Sequence, residues 1–234
     1  LHFHNKALGL SLSAADEFAT IAAVRERVLP LLADTRTWLN TQIGMGKKVL
    51  FEGAQAHHLD IDHGTYPYVT SSSVTVGGIC TGLGIAPKHV GTVVGIAKAY
   101  TTRVGEGPFD AELEDELGEQ IREAGGEYGA TTGRPRRVGW LDARAVAESV
   151  LINGIDEINL TKLDVLTGLP EIQVLTSDGY ETFSGWTEDI SGVREFAELP
   201  SAAQEYVLAI ERMFGAPVTS IGVGADREAL VFRN

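Results

Sequence analysis

Three arginines, Arg134, Arg136 and Arg137, fall within four positions of a chain whose formal net charge is -13. Gly129, Ala130, Thr131, Thr132 and Gly133 lead into them, and Val138, Gly139 and Trp140 follow. Arginine presents a planar fork of N–H donors that fits carboxylate and phosphate oxygens. Threonine adds hydroxyls, and glycine lets backbone N–H groups come close to a ligand. The stretch reads as a loop that grips a small polyanion; its plain alternative is a solvated turn ahead of a helix.

A second group is Thr161-Lys162-Leu163-Asp164. One ionised carboxylate can accept two neighbouring N–H donors, and a lysine stem can cover a flat ring with its methylenes. A guanine edge makes those demands, and the tetrapeptide resembles the guanine-specificity sequence of GTP-binding proteins. Lys-x-Asp also arises often by chance, so its expected place at the C-terminal end of a strand carries the weight.

Other stretches keep two readings each. In an extended chain His58, Asp60 and Asp62 share one face while His57 and His63 take the other. A metal site there, which the residue types permit, requires a bend; a surface strand or pocket wall does not. Thr70-Ser71-Ser72-Ser73 either cradles a phosphate or forms a Ser-rich turn. Arg103 adds a further cation whose plain role is a surface ion pair. Gly44-Met45-Gly46-Lys47-Lys48 imitates a phosphate loop without its spacing or its metal-holding hydroxyl, and reads as a helix-ending turn.

The elements that must hold these groups show in the periodicity. Ser13 opens a capping-box-like start, and Phe18, Ile21, Val24 and Val28 follow at helical spacing. Pro30 then demands two helices or a kink before Gly44. Lys48 to Phe51 reads as a short buried strand ending in the polar loop Glu52-Gly53-Ala54-Gln55. A second strand is expected within Gly91 to Tyr100. An acidic helix carries Leu113, Leu117 and Ile121 up to Gly125-Gly126, and another covers Leu141 to Asn153 before Gly154. Ile155 to Leu160 reads as the strand that delivers Lys162 and Asp164. Ser201 caps a helix with Tyr206, Val207, Ile210 and Met213 on or near its buried side, and Gly215 closes it. Strands follow at Val218 to Val223 and Ala229 to Phe232, split by Gly224-Ala225-Asp226. This alternation predicts an α/β fold with a mostly parallel central sheet flanked by helices.

With 234 residues and 44% hydrophobic content, the chain can bury a sizeable core. Its 32 acidic against 19 basic residues argue against nucleic acid and anionic membrane as partners. No apolar run approaches the length of a membrane span. Cys80 is the only cysteine, so no intrachain disulfide can form and a reducing, cytoplasmic setting is expected. A start at Leu1 instead of Met leads to the expectation of a fragment.

Taken together, these stretches resemble the adenylosuccinate synthetase family. The resemblance rests on FEGAQ at Phe51 to Gln55, LDIDHGTYPYVTSS at Leu59 to Ser72 and KAYTTRVGEGPF at Lys98 to Phe109. The arginine loop, LTKLDVL at Leu160 to Leu166 and the turn from Gly222 to Glu228 complete it. It runs in order across nearly the whole chain, weakest before Lys47 and between Gln173 and Ser184. It implies a P-loop NTPase-like fold, incomplete at its N-terminus, with residues 1–46 as a helical flank and 47–234 as a nucleotide- and aspartate-binding part.

What the resemblance implies for chemistry is a ligation in AMP biosynthesis. The family moves a phosphoryl group from GTP to the 6-oxygen of IMP, and the amine of aspartate then displaces that phosphate. By resemblance Gln55 orients the 6-oxo region of IMP, Thr70 meets its phosphate, Val104 lies near its ribose and Arg134 also reaches it. Ala130, Thr131, Thr132, Gly133, Arg134 and Arg136 match the aspartate-binding loop. Arg136, Lys162, Leu163, Asp164, Gly222, Val223 and Gly224 match the GTP site. The family's phosphate loop, catalytic Asp and His, and Mg2+ ligands belong to an N-terminal part that these residues do not match, and homodimerisation is implied as well. Departures from the family pattern are Ala56-His57-His58 in place of a small and apolar triplet, Ser73 for Asn, Ala225 for Pro, and a shorter stretch between Val174 and Gly185. A truncated chain that binds purine nucleotides or a partner without turnover is the other reading.

Overall fold

The computed structural model describes residues 1–129 and 133–233. Ala130, Thr131 and Thr132 of the expected aspartate loop therefore lie outside the described residues. The chain divides into two compact units, Leu1–Val49 and Leu50–Asn234.

The first unit is helical: α1 (His2–Leu8), α2 (Ala14–Val28), a 3-10 turn (Leu29–Leu31) and α3 (Thr35–Gly44). Ser13 caps α2 by accepting from the Asp16 N–H, and Asp34 caps α3 by accepting from Thr37. Pro30 sits in the 3-10 turn, which is the interruption its missing N–H requires. Gly46 adopts φ 75 just past α3, so the Gly-Met-Gly-Lys-Lys stretch is the helix-ending turn expected of it.

Lys48 to Phe51, expected as a buried strand, forms none, and Leu50 is 92% exposed. A strand exists through its ladder, and among the described residues no neighbouring strand supplies one. In the second unit α4 (Val76–Leu83) precedes β1 (Val94–Lys98), β2 (Thr101–Arg103) and α5 (Glu116–Gly125). Then come β3 (Arg137–Gly139), β4 (Leu141–Asp142), α6 (Ala143–Asn153), β5 (Glu157–Thr161), β6 (Glu171–Thr176) and β7 (Gly179–Ser184). The chain closes with α7 (Ser201–Phe214), β8 (Val218–Gly222) and β9 (Leu230–Phe232).

The main sheet has the order β1-β5-β8-β9. Its first three strands are parallel, and β9 returns antiparallel beside β8. The α/β class with a parallel-rich sheet is therefore the observed one. Two smaller sheets, β2-β3 and β4-β6-β7, flank it. Helix α7 packs because Ala203, Tyr206, Val207, Ile210 and Phe214 recur on one face and are buried. Each large side chain so covered contributes about 1.5–3 kcal/mol. The Tyr206 hydroxyl donates to the Ala99 carbonyl at 2.6 Å, so its polar end is satisfied inside the core. Ser201 is the first residue of α7 and makes no capping bond; the cap position belongs to Pro200. Met213 is only partly buried, because it lies off that face.

The His57–His63 stretch is not extended. His57–Leu59 is a 3-10 turn, and the buried Asp60 carboxylate pins the loop on its C-terminal side. That carboxylate accepts from the backbone N–H groups of Asp62 (2.9 Å), His63 (3.0 Å), Val74 (2.7 Å) and Thr75 (3.3 Å). Burial raises its pKa, the four donors more than reverse this, and the result is about 2.

Candidate functional site

A cavity of about 750 Å³ lies at the C-terminal ends of β5 and β8. Strand β5 buries Ile158 and Leu160, and its period of two turns Asn159 and Thr161 the other way, into the cavity wall. At the strand's end Lys162 takes φ 62, a left-handed conformation uncommon for a residue with a Cβ. That turn starts the 3-10 stretch Leu163–Leu166, which sends Leu163 into the core and Asp164 to the cavity. Gly222 and Gly224 form the facing strip, where a Cβ on Gly222 would stand 3.4 Å from the Thr161 Cα. Val223 between them is fully buried and does not line the cavity.

Two acceptors in this wall are unsatisfied. Asn159 Oδ1 and Asp164 Oδ1 are both buried without a hydrogen-bond partner among the described residues. A buried unpaired acceptor costs about 1–3 kcal/mol, so a cavity that holds two is prepared for a ligand bearing N–H donors. Burial pushes the Asp164 carboxyl above the usual carboxylate range, opposed by its own backbone N–H and by Lys162. Asn159 carries no motif in the sequence, although its place in the alternation of β5 marks it as facing away from the core.

Behind the cavity stands Glu127, whose side chain is fully buried. Oε1 accepts from Tyr100 Oη at 2.6 Å, Lys98 Nζ at 2.8 Å and Lys162 Nζ at 2.9 Å. Oε2 accepts from Arg136 Nη1 at 2.7 Å. Burial alone raises the Glu127 pKa, but the bonds from Lys98, Tyr100 and Lys162 outweigh it and hold the carboxyl at about 2. Lys98 is in turn lowered by burial against the pull of Glu127. One carboxylate thus fixes a cavity residue, Lys162, and an arginine of the Gly129–Trp140 stretch. No spacing in the sequence points to Glu127, Lys98 or Tyr100.

The arginine stretch folds back on itself. The Gly129 N–H donates to the Arg134 carbonyl and the Gly133 N–H to the Gly129 carbonyl, both at 2.8 Å. Gly133 takes φ 64, which glycine adopts freely. Arg136 pairs with Glu127, and Arg137 grips Glu112 through Nε and Nη2 while Nη1 donates to the Gly107 carbonyl. At least two of the three clustered arginines are therefore engaged within the protein. Among the described residues Arg103 makes no surface ion pair of the kind expected; it donates to Thr65 Oγ1 at 2.8 Å and the Glu106 carbonyl at 3.0 Å, bracing two loops.

Among the other expected residues that are described, Gln55, Thr70 and Val104 lie outside the Lys162 cavity. Gln55 is exposed and takes φ 64, Thr70 is half-buried with its N–H on the Leu59 carbonyl, and Val104 is 68% exposed. Lys162, Asp164, Gly222 and Gly224 are the predicted residues that the fold brings to one cavity.

Comparison with known proteins bears directly on this arrangement. The adenylosuccinate synthetase family profile matches residues 2–178 and 176–231. The two matches meet at the turn of the β6–β7 hairpin, inside the stretch that reads as shorter than the family pattern. Adenylosuccinate synthetase 1, chloroplastic, of Oryza sativa subsp. japonica is 52% identical over 231 residues, covering 89% of this chain and 47% of that protein. The corresponding Physcomitrium patens protein is 49% identical, covering 97% of this chain and 49% of its own length. The fully ligated adenylosuccinate synthetase structure from Plasmodium falciparum superposes with a TM-score of 0.92 at 43% identity, covering all of this chain and 61% of that one. The chain spans about half the length of the curated relatives it matches. No described helix is long and apolar enough to cross a membrane. With matches that run from residue 2 to residue 231 and a backbone that follows the same course, this chain belongs to the adenylosuccinate synthetase family.

Proposed function

We propose that this chain forms the guanine-binding and aspartate-binding part of a GTP-dependent ligase that joins aspartate to IMP, giving adenylosuccinate. The observation that carries this is the cavity holding Lys162 and the two unpaired acceptors, Asn159 Oδ1 and Asp164 Oδ1. A guanine edge offers adjacent N1–H and N2–H donors, and Asp164 accepts both while Lys162 covers the ring with its stem. Gly222, Val223 and Gly224 supply the opposite strip, with Leu163 contributing backbone. The cavity's volume falls within the ordinary range of small-molecule sites.

The other assignments rest on family membership. Gln55, Thr70, Val104 and Arg134 serve IMP; residues 130–134 and Arg136 serve aspartate, with Arg136 shared with GTP. In the first step a GTP γ-phosphoryl group passes to the 6-oxygen of IMP, releasing GDP. In the second, the aspartate amine attacks the activated carbon and inorganic phosphate leaves. Arginine donors held by fixed partners such as Glu127 neutralise charge that develops in both steps without reorganising. Residues 47–234 carry these sites, residues 1–46 form a helical flank, and a homodimer is the working assembly by the same membership.

The family's Mg2+ is not accommodated by the side chains described. Among the described residues, the one group of three side chains placed to hold a cation is His57, His58 and Glu148, and it lies off the guanine cavity. Imidazoles suit softer ions, whereas Mg2+ demands oxygen ligands. No step is assigned to these residues through Mg2+.

Displacement of a fluorescent guanine nucleotide from the purified chain tests the reading. GTP displaces it, and ATP competes at least about a hundredfold less well, because a site built to accept N–H donors rejects a base that lacks them. Equal competition by ATP contradicts the assignment.

A further inference from the structure

We infer that His57, His58 and Glu148 form a binding site for a divalent cation of the zinc type, separate from the Lys162 cavity. The two histidines stand on the 3-10 turn His57–Leu59 and the glutamate on α6, ninety residues further along the chain. One ligand atom from each lies within 4.8 Å of the other two. His58 Nε2 and Glu148 Oε2 are already 3.2 Å apart. Zinc bonds of about 2.0–2.2 Å place tetrahedral ligand atoms about 3.3 Å apart, so this pair stands at coordination spacing and the third ligand needs to close by about 1.5 Å.

The surroundings are built to hold the ligands. His57 Nδ1 lies 3.4 Å from Asn153 Nδ2, and Asn153 is itself fixed because its Oδ1 accepts from the Val76 N–H at 2.9 Å. That amide nitrogen only donates, so the long contact falls on an unprotonated Nδ1, and a cation taken by Nε2 displaces it as the ring proton moves to Nδ1. The turn bearing both histidines runs straight into Asp60, whose four backbone bonds pin the segment. A simple His–Glu hydrogen bond accounts for His58 and Glu148. It does not account for His57 Nε2, which is buried with no hydrogen-bond partner. Two imidazoles and one carboxylate are a donor set that zinc accepts while keeping a fourth position open. His58 and Glu148 also line a cavity of about 370 Å³, together with Arg103, Arg144, Asp110 and Asp142, which gives water a route to the site.

The test is titration of the full 234-residue chain with Zn2+ by calorimetry and with Co2+ by visible absorption. A His2→Ala/His4→Ala background removes the exposed histidine pair of α1. One ion per chain is expected, with a dissociation constant in the micromolar range or below and a Co2+ band of four- or five-coordinate intensity. Glu148→Gln and His58→Gln, both on the solvent-facing side, and His57→Gln each weaken binding tenfold or more. Zn2+ raises the melting temperature of the parent but not of Glu148→Gln, and the unliganded melting temperature of that variant shows that its fold is kept. Absence of binding overturns the inference, as does unchanged affinity in Glu148→Gln and His58→Gln. Neither readout uses a nucleotide, so failure here leaves the proposed function standing.

Discussion

Asp164 and Glu127 both carry a carboxylate oxygen sealed from water, yet their settings are opposite. Glu127 is surrounded by Lys98, Lys162, Arg136 and the Tyr100 hydroxyl, while Asp164 Oδ1 has no hydrogen-bond partner among the described residues. The first is a structural anchor and the second is poised for a ligand. Lys162-Leu163-Asp164 was legible because its chemistry is contiguous and ends a strand. Glu127 was not, since one glutamate among 32 acidic residues reads as solvated surface until the fold gathers three distant cations around it. Glu127→Gln keeps the volume but leaves those cations without their counter-charge. Breaking a buried network of this kind costs on the order of 3 kcal/mol. A denaturant titration should show that loss, and a change under about 0.5 kcal/mol would mean the network holds nothing together.

Elements carry the groups only as well as their ends are defined. Helix α6 starts at Asp142, whose Oδ1 accepts from the N–H groups of Arg144 and Ala145. Asp142→Ala should cost about 1 kcal/mol, and Asp142→Asn much less, because asparagine also caps. Thermal or denaturant unfolding of the two variants measures the difference. Comparable losses would point instead to the Arg144 ion pair, which is half-exposed and so contributes little. Strands β5 and β8 and helices α2, α5, α6 and α7 were legible from period and caps. Strands β2, β3 and β4 have two or three residues each, too few for a period to show. The apolar run at Lys48 to Phe51 has strand composition but no ladder, so its local signal misled. The His57–His58 turn was missed for another reason: alternation places the two histidines on opposite faces, and only a 3-10 turn with Glu148 from α6 brings them together.

At the scale of the whole molecule, stability should depend on pH in a defined window. Asp60 and Glu127 have ordinary values of 3.8 and 4.5 and are each held at about 2 in the folded chain. A depressed carboxyl stabilises the fold above its unfolded pKa, and that contribution is lost as pH falls toward the folded value. Urea midpoints should stay level from pH 7 to about pH 5 and fall between about pH 4.5 and 2. A midpoint unchanged at about pH 3 would contradict the two anchors. The proposed guanine site rests on all of these parts at once: the core that seats β5 and β8, the anchor that holds Lys162, and the unpaired Asp164 oxygen. Its most direct test exchanges one atom group. Asp164→Asn presents a donor where N1–H and N2–H need an acceptor, so GTP should weaken by at least about 1.5 kcal/mol, roughly tenfold. Xanthine carries an oxygen in place of the 2-amino group, so XTP should gain affinity in the same variant. A GTP/XTP competition on wild-type and Asp164→Asn protein, with a melting curve for each, measures this. The account predicts a shift of preference from GTP toward XTP with the fold intact; an Asp164→Asn protein that prefers GTP as strongly as before would contradict it.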